Sequence, residues 1–465
     1  MTVLDDLPAE YPEDLTSRVR EAVAASGRKL IALDDDPTGV QTVHDTAVLA
    51  QWGVEDLSAE LRDPRPVCFI LTNSRSLPEA AAAALNREIA TNLVIASRRT
   101  GIPFAIASRS DSTLRGHFPA ETDALTSILG NIDGILIVPA FFEGGRFTVG
   151  DVHWVRDGDA LVPAADTEFA RDATFGYTHS NLREWVEEKT GGRLAAPNVR
   201  SISIEDIRQG GPTRVSALLA NAPEAKPIVI NAASYRDLDV VALGVLAAEA
   251  TGKCFIYRTG AAFVRARAGL SERPLLSRQE LLGPNPAQHL PGLVVVGSHV
   301  LRTGEQLADL MTTPGMMSIT LDVARILDPA SRETEIRAAQ AATEASLQRG
   351  QTAVIATSRA VARAPDPESQ LEISRSVSSA LVAVVAAIGR RPGWIVAKGG
   401  ITSSDVGTVA LGVHRAIVLG QIRPGIPVWR LGPESRFPDL PFVIFPGNVG
   451  GPTTLTEVVQ LLQGD

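Results

Sequence analysis

The feature that most constrains the fold is a series of short apolar runs without polar alternation, each followed by a polar loop and a helix-patterned stretch. The first seven are LIAL (30–33), VCFILT (67–72), FAIAS (104–108), GILIVPA (134–140), SISI (201–204), PIVIN (227–231) and CFIY (254–257). Runs apolar on both faces, separated by segments such as PEAAAAALNREIATNLVIASRR, predict a mostly parallel sheet covered by helices on both sides. The rhythm breaks at 271–292, SERPLLSRQELLGPNPAQHLPG, whose four prolines and two glycines read as a linker. It then resumes with LVVVGS, SITLDV, AVIATS, WIVAKGG, AIVLG, PVWRL and FVIFPGN, with helices expected over 331–349 and 367–388. At 465 residues the chain exceeds one ordinary core. The expectation is therefore two α/β domains, 1–270 and 291–465, joined by a linker at 271–290. Each would be a mostly parallel sheet flanked by helices, with a ligand cleft between them.

Composition narrows the function classes. The net charge is −9 and no long basic block occurs, which argues against a nucleic-acid partner. An anionic ligand would need local arginines to overcome that charge. Lysines number five (Lys29, Lys189, Lys226, Lys253 and Lys398), so a lysine at a motif stands out. Cys68 and Cys254 sit in apolar runs and read as buried thiols rather than a disulfide. Seven histidines are scattered without metal-ligand spacing, and no protein-held metal is expected. The acidic start MTVLDDLPAEYPEDL lacks the regions of a signal peptide, and ALVAVVAAIG is too short to span a bilayer. A cytoplasmic location is the expectation.

In open α/β sheets ligands bind beyond the carboxyl ends of the strands, so the residues after each run carry the chemistry. LIAL leads into Asp34, Asp35, Asp36, Pro37, Thr38 and Gly39; VCFILT into Asn73, Ser74 and Arg75. FAIAS leads into Arg109, Ser110, Asp111, Ser112, Thr113, Leu114, Arg115 and Gly116, and GILIVPA into Phe141 to Arg146. Acids, hydroxyls and arginines at four strand ends suit a small polyhydroxylated anion, because arginine forks match carboxylates while aspartates and hydroxyls pair with sugar hydroxyls. The second half differs: Gly297-Ser298, Lys398 to Asp405, and Pro446 to Thr454 are rich in glycine and hydroxyls. Such strand-to-helix turns let backbone N–H groups approach a phosphate. No Walker A sequence and no clean GxGxxG after a strand is found.

Three readings compete on the residues alone. A phosphotransferase would use both sets of strand ends. A haloacid-dehalogenase-type phosphatase would use Asp34 as nucleophile, Asp36 as acid/base and Thr38, but lacks the later acidic strand end that holds magnesium. A non-catalytic sugar-acid sensor would need neither phosphate loops nor a base.

Motif order favours the first. The chain resembles the four-carbon acid sugar kinase family, which phosphorylates threonate, erythronate and related acids with ATP. The family's Asp-Asp-x-Thr-Gly is similar to Asp35-Asp36-Pro37-Thr38-Gly39, and its Ser-Arg to Ser74-Arg75. Its Lys-x-Asp-Ser-Thr-Leu-Arg-Gly appears as RSDSTLRG (109–116), and its Pro-Ala…Gly-Arg-x-Thr-x-x-Gly as Pro139 to Val155. In the second half Gly297-Ser298, Gly399 to Thr402 and Pro446-Gly447-Asn448 match the family's loops. Departures lie on the substrate side: Arg109 replaces the motif lysine, and His117 stands where asparagine is common.

The resemblance implies an N-terminal acid-sugar-binding domain and a C-terminal nucleotide-binding domain, with ATP and magnesium as cofactors and a small sugar acid as substrate. A homodimer is the expectation from the frequency of two-fold assemblies. Arg75 and Arg115 are assigned to the substrate carboxylate, with Arg109 beside them; Asp35, Asp111, Ser112 and Thr113 hold hydroxyls. Asp36 is the candidate base and Asp111 the alternative, since neighbouring carboxylates should raise one pKa of the cluster. Ser298, Gly399, Gly400, Ile401, Thr402 and Gly447 are assigned to the nucleotide. Arg146 either neutralises the transferring phosphoryl or pins a loop, and Lys398 either touches phosphate or is surface charge.

Overall fold

The computed structural model describes residues 3–36, 39–222, 225–283, 290–297, 301–358, 367–447 and 449–464. Packing divides the chain into two compact units, Met1–Glu272 and Arg273–Asp465.

Unit 1 carries β1 (Lys29–Asp34), β2 (Thr46–Leu49), β3 (Val67–Leu71), β4 (Phe104–Arg109), β5 (Gly134–Val138), β6 (Arg146–Val149), β7 (Val152–Asp157), β8 (Ala160–Pro163), β9 (Arg200–Ile202), β10 (Pro227–Ile230) and β11 (Phe255–Thr259). Eight of these run parallel in the order β2-β3-β1-β4-β11-β5-β10-β9. Every residue of β1, β3, β5 and β10 is buried, as strands covered on both faces require. β6, β7 and β8 form a separate antiparallel sheet. That sheet and β2 were not expected from the sequence. The run SISI is only half strand: it pairs over Arg200–Ile202, then Ser203 caps a helix beginning at Ile204, with Asp206 completing a capping box.

Unit 2 carries β12 (Leu293–Val296), β13 (Met316–Leu321), β14 (Thr352–Thr357), β15 (Ile395–Lys398), β16 (Arg415–Arg423), β17 (Ile426–Leu431) and β18 (Pro441–Phe445). The order β13-β14-β12-β15-β18 is parallel, and β17 and β16 continue it antiparallel. β16 alternates buried and half-buried residues along its length, the pattern of a strand with one covered face. The expected helices are present as Arg332–Gln348 and Pro367–Ala387.

Two expectations need correction. The segment read as a linker contains a helix, Arg278–Leu282, opened by a capping box between Ser277 and Glu280; Leu276 and Leu281 are buried in the unit 2 core. Cys68 is buried, but Cys254 precedes β11 and is only half-buried.

Each unit has a point where the strand order reverses. In unit 1 the chain passes from β1 to β3 on one side, then crosses to β4 on the other; in unit 2 β13 and β14 lie on one side of β12, and β15 on the other. Diverging connections open a crevice at the carboxyl ends there. Asp34 to Asp36 and Arg109 to Arg115 border the first crevice, and Gly297 and Gly399 to Thr402 the second.

Candidate functional site

The unit 1 crevice is built on paired charges. Arg75 meets Asp35 with two edges, Nη2 to Oδ1 at 2.5 Å and Nε to Oδ2 at 3.2 Å, and reaches Asp36 Oδ2 at 3.3 Å. Ser110 Oγ donates to Asp35 Oδ2 at 2.5 Å. Arg109 Nη1 donates to Asp34 Oδ1 at 2.9 Å, both side chains being buried. Arg115 Nε donates to Asp111 Oδ2 at 2.6 Å and its Nη1 lies 3.7 Å from Asp172 Oδ2; Thr113 Oγ1 also donates to Asp111. Beneath them, Arg258 donates to Glu121 at 2.9 Å and to Ser108 at 3.0 Å, while Ser74 donates to the other Glu121 oxygen at 2.6 Å.

This pairing shows what each assigned side chain meets within the protein. The guanidinium forks of Arg75 and Arg115 already face aspartates of the protein. Asp35 and Asp111 likewise accept from protein donors, and the Thr113 hydroxyl is one of them, whereas the Ser112 hydroxyl has no partner among the described residues. The expected rise in pKa falls on Asp34, pushed up to about 7 by burial and by the charges of Asp35 and Asp36, against the pull of Arg109. Burial also opposes ionisation of Asp111, but Arg75 and Arg115 overcome it and hold that carboxyl well below the usual range, which makes Asp111 a weak proton acceptor. Asp36 is the most open of the three aspartates, 27% exposed against 2% for each neighbour. Asp34, the nucleophile of the phosphatase reading, is sealed against Arg109. Pro37 and Thr38 lie outside the described residues.

Arg146 differs from the other arginines. Arg75, Arg109, Arg115 and Arg258 each have a carboxylate partner; among the described residues Arg146 has none within ion-pairing distance. Its Nη1 donates to the Gly144 carbonyl, its Nε is buried without a hydrogen-bond partner, and its guanidinium lies 5.7 Å from the Phe169 ring, which Arg115 approaches to 5.2 Å. Burial lowers the Arg146 pKa from the ordinary guanidinium value; the Asp111 charge opposes this and the Arg115 charge adds to it. The loop before it is pinned at Glu143, which accepts from Tyr235 Oη at 2.7 Å and faces Arg265 at 3.4 Å.

Two residues that the sequence reading missed clamp the 112–113 backbone. His153, fully buried on β7, lies with Nε2 2.7 Å from the Ser112 carbonyl and Nδ1 3.0 Å from Thr148 Oγ1. A carbonyl only accepts, so Nε2 carries the proton and Nδ1 accepts from the hydroxyl. Burial lowers the His153 pKa to about 4. Tyr177 Oη donates to the Thr113 carbonyl at 2.8 Å. His117, the departure at the asparagine position, is turned to the Leu77 carbonyl at 2.9 Å and packs on Phe175.

In unit 2 the glycine loops converge. Gly297 N–H donates to the Lys398 carbonyl at 3.2 Å and Gly399 N–H to that of Phe445 at 2.8 Å. A Cβ on Gly297 would lie 2.1 Å from Thr402 Oγ1, so only glycine lets these turns meet. Gly399 sits at φ 118°, a conformation other residues rarely adopt. Gly400, Ile401 and Thr402 form the first turn of the helix Gly400–Asp405, with Ile401 60% exposed. Lys398 is not surface charge: it is fully buried, with Nζ 2.9 Å from the Pro446 carbonyl and 3.3 Å from that of Gly447. Ser298 and Asn448 lie outside the described residues. Among those residues no group of three or more His, Cys, Asp or Glu is placed to hold a metal, and no helix is long and apolar enough to cross a membrane.

Comparison with known proteins accords with this layout. Residues 30–267 match the model of a sugar-binding N-terminal domain, and residues 293–455 that of a nucleotide-binding C-terminal domain. A D-erythronate kinase of Heliobacterium modesticaldum is 28% identical over 271 residues, 58% of this chain and 56% of its own length; the chain thus matches little more than half of that relative. A D-threonate kinase of Cupriavidus necator is 26% identical over 380 residues, covering 80% of this chain and 81% of its own. Crystal structures of a Salmonella typhimurium LT2 protein (TM-score 0.67, 19% identity, 92% of this chain and 98% of that one) and of Haemophilus influenzae protein HI1011 (0.62, 20%, 92% and 99%) share the fold. Two consecutive domains, one of a sugar-binding and one of a nucleotide-binding type, define the class. The chain belongs to the four-carbon acid sugar kinase family.

Proposed function

We propose that the protein is an ATP-dependent kinase that phosphorylates a hydroxyl of a small, four-carbon sugar acid such as threonate or erythronate. The observation that carries this reading is Arg146, a largely buried cation without a carboxylate partner among the described residues, beside a crevice otherwise neutralised arginine by arginine. A partly desolvated cation is satisfied by an anion that arrives with the ligand. The names of the two kinase relatives support the same acceptor class.

Arg146, with the remaining N–H groups of Arg115, receives the carboxylate, and Asp36 and the Ser112 hydroxyl receive substrate hydroxyls. Arg75 and Arg109 hold Asp35, Asp36 and Asp34 in place, and Thr113 and Arg115 hold Asp111. In the transfer, the acceptor oxygen forms a bond to the γ-phosphorus as the bond to the bridging oxygen breaks, ADP leaves, and the acceptor's proton passes to Asp36. Phosphoryl transfer asks a protein mainly for positioning and charge neutralisation. Gly400, Thr402 and Gly447 offer backbone and hydroxyl donors to phosphates, and Ile401 exposed apolar surface, while Gly399, whose N–H is taken by the Phe445 carbonyl, shapes the turn that presents them. Magnesium, supplied with the nucleotide, would neutralise phosphate charge.

The test is an ATP-coupled screen of the purified chain against C4 to C6 sugar acids, with a phosphatase assay on the same samples. ADP formation that depends on a tetronic acid is the expected result. ADP formation without an acid, or phosphate release from a phosphorylated acid in the absence of nucleotide, would overturn the reading.

A further inference from the structure

The closing loop of unit 2, Pro446 to Thr453, joins β18 to the helix Thr454–Gln463. Three buried side chains reach its carbonyls from below. Lys398 takes those of Pro446 and Gly447; Thr303 Oγ1 donates to Gly447 at 3.1 Å; Gln306 Nε2 donates to Val449 at 3.1 Å and to Gly451 at 2.8 Å. All three are fully buried. In a trans peptide the C=O of one residue and the N–H of the next point in opposite directions. Drawing the Pro446 and Val449 carbonyls inward therefore turns the Gly447 and Gly450 N–H groups outward. Neither N–H has a partner among the described residues.

The Lys398 ammonium is also uncompensated. Its neighbours are two carbonyl dipoles and the Phe445 ring, 4.0 Å from Nζ. Among the described residues no Asp, Glu or His lies within ion-pairing distance of it; the charged group that acts on it is Arg302, on the helix Leu301–Leu310. A lone ammonium in such surroundings lacks the anion that normally keeps it protonated.

We propose that Lys398 is a positioning residue for the nucleotide. With Thr303 and Gln306 it holds the closing loop so that the Gly447 and Gly450 amides face the phosphates, and it takes up a proton when a nucleotide binds. The inference rests on the reading of unit 2 as the nucleotide-binding unit and assigns that site a buried, titrating counter-charge. Burial, with Arg302 adding to it, lowers the Lys398 pKa to about 7, and the negative charge of a bound nucleotide raises it again. Above pH 7 the free protein then carries Lys398 mostly neutral and the complex carries it charged.

Calorimetry of the full chain with ADP and magnesium at pH 8, in phosphate and in Tris, reads this directly, because their ionisation heats differ. Wild-type protein should take up close to one proton per site at pH 8 and almost none at pH 6. Lys398→Met should abolish the buffer dependence and weaken ADP at least ~10-fold. Thr303→Val, which removes one anchor of the loop and keeps the lysine, should weaken ADP yet retain the uptake, and it serves if the lysine variant does not fold. Buffer-independent binding by wild type at pH 8, or undiminished uptake by Lys398→Met, would overturn the proposal while leaving the nucleotide assignment standing. No binding of ADP by wild type would overturn both.

Discussion

Arg75 grips Asp35 with two edges of its guanidinium, and Asp35 in turn accepts a third hydrogen bond from Ser110 at 2.5 Å. Asp35 follows β1, Arg75 follows β3 and Ser110 follows β4, so this carboxylate ties together three strand ends at the point where the sheet order reverses. It fixes where Arg75 lies, and Arg75 then reaches Asp36 at 3.3 Å.

Removing one member should therefore be expensive, and removing the second should add less than its own single loss. Breaking a buried ion pair costs about 3–5 kcal/mol; here Arg75 keeps Asp36, so Asp35→Ala should lose about 3 kcal/mol in urea unfolding. In the double variant Asp35→Ala/Arg75→Ala the loss should fall well short of the sum of the single losses, by at least ~1 kcal/mol. Strict additivity would show that the pair does not act as a unit.

Arg146 should behave in the opposite way. With no carboxylate partner to lose among the described residues, Arg146→Met should leave stability nearly unchanged and weaken the acid acceptor. A charge-assisted hydrogen bond is worth about 1.5–3 kcal/mol, which corresponds to a rise of roughly 10- to 150-fold in the acceptor's KM, with the KM for ATP within ~2-fold. Arg115→Ala should raise the same constant and also cost stability, because Asp111 loses its 2.6 Å donor. Equal effects on both substrates would reject the carboxylate assignment.

The sequence made the frame legible and left the wiring hidden. Apolar runs such as GILIVPA marked strands correctly because a strand buried on both faces has little alternative, and the acids and arginines collected at one end because loops follow strands. What the sequence could not tell is which aspartate takes which arginine. Arg115 pairs with a residue four positions away, but Arg109 with one 75 away and Arg258 with one 137 away. His153 was visible only as a histidine without metal spacing; its partner is a backbone carbonyl 41 residues back, which leaves no local pattern. Lys398 was ambiguous for a related reason: a lysine ending a strand is exposed or buried according to the loop that later folds over it.

His153 gives a pH-dependent prediction. In the folded protein burial holds its pKa near 4, against an ordinary value of 6.5. Between those values the unfolded chain binds a proton that the folded chain refuses, so this contribution to stability is complete above pH 6.5 and is lost as pH falls towards 4. His153→Gln, which can still donate to the Ser112 carbonyl, should remove this dependence. The midpoint of thermal unfolding should fall less between pH 7 and pH 5 in the variant than in the parent. Parallel curves would mean that His153 takes up a proton in the folded state and that the clamp on residues 112–113 opens.

Gly297 tests the convergence of the unit 2 loops. An alanine there would place Cβ 2.1 Å from Thr402 Oγ1, 3.1 Å from Leu381 Cδ1 and 3.2 Å from Thr402 Cβ. The first approach is too close for any packed pair, and the β-branched Thr402 has limited freedom to turn aside. Overpacking of this kind costs about 1–3 kcal/mol, and here it should also spread the two turns assigned to the phosphates. Gly297→Ala is expected to lower the thermal midpoint and to weaken ATP binding in calorimetry by at least ~10-fold, while Thr402→Ala alone weakens ATP with little change in stability. The double variant separates strain from chemistry. Removing the threonine hydroxyl opens room for the new methyl, so its midpoint should recover most of the way to wild type while ATP affinity stays low. Recovery of both would mean that the Thr402 hydroxyl serves packing alone, and the nucleotide's donors would then have to be sought among the glycine amides.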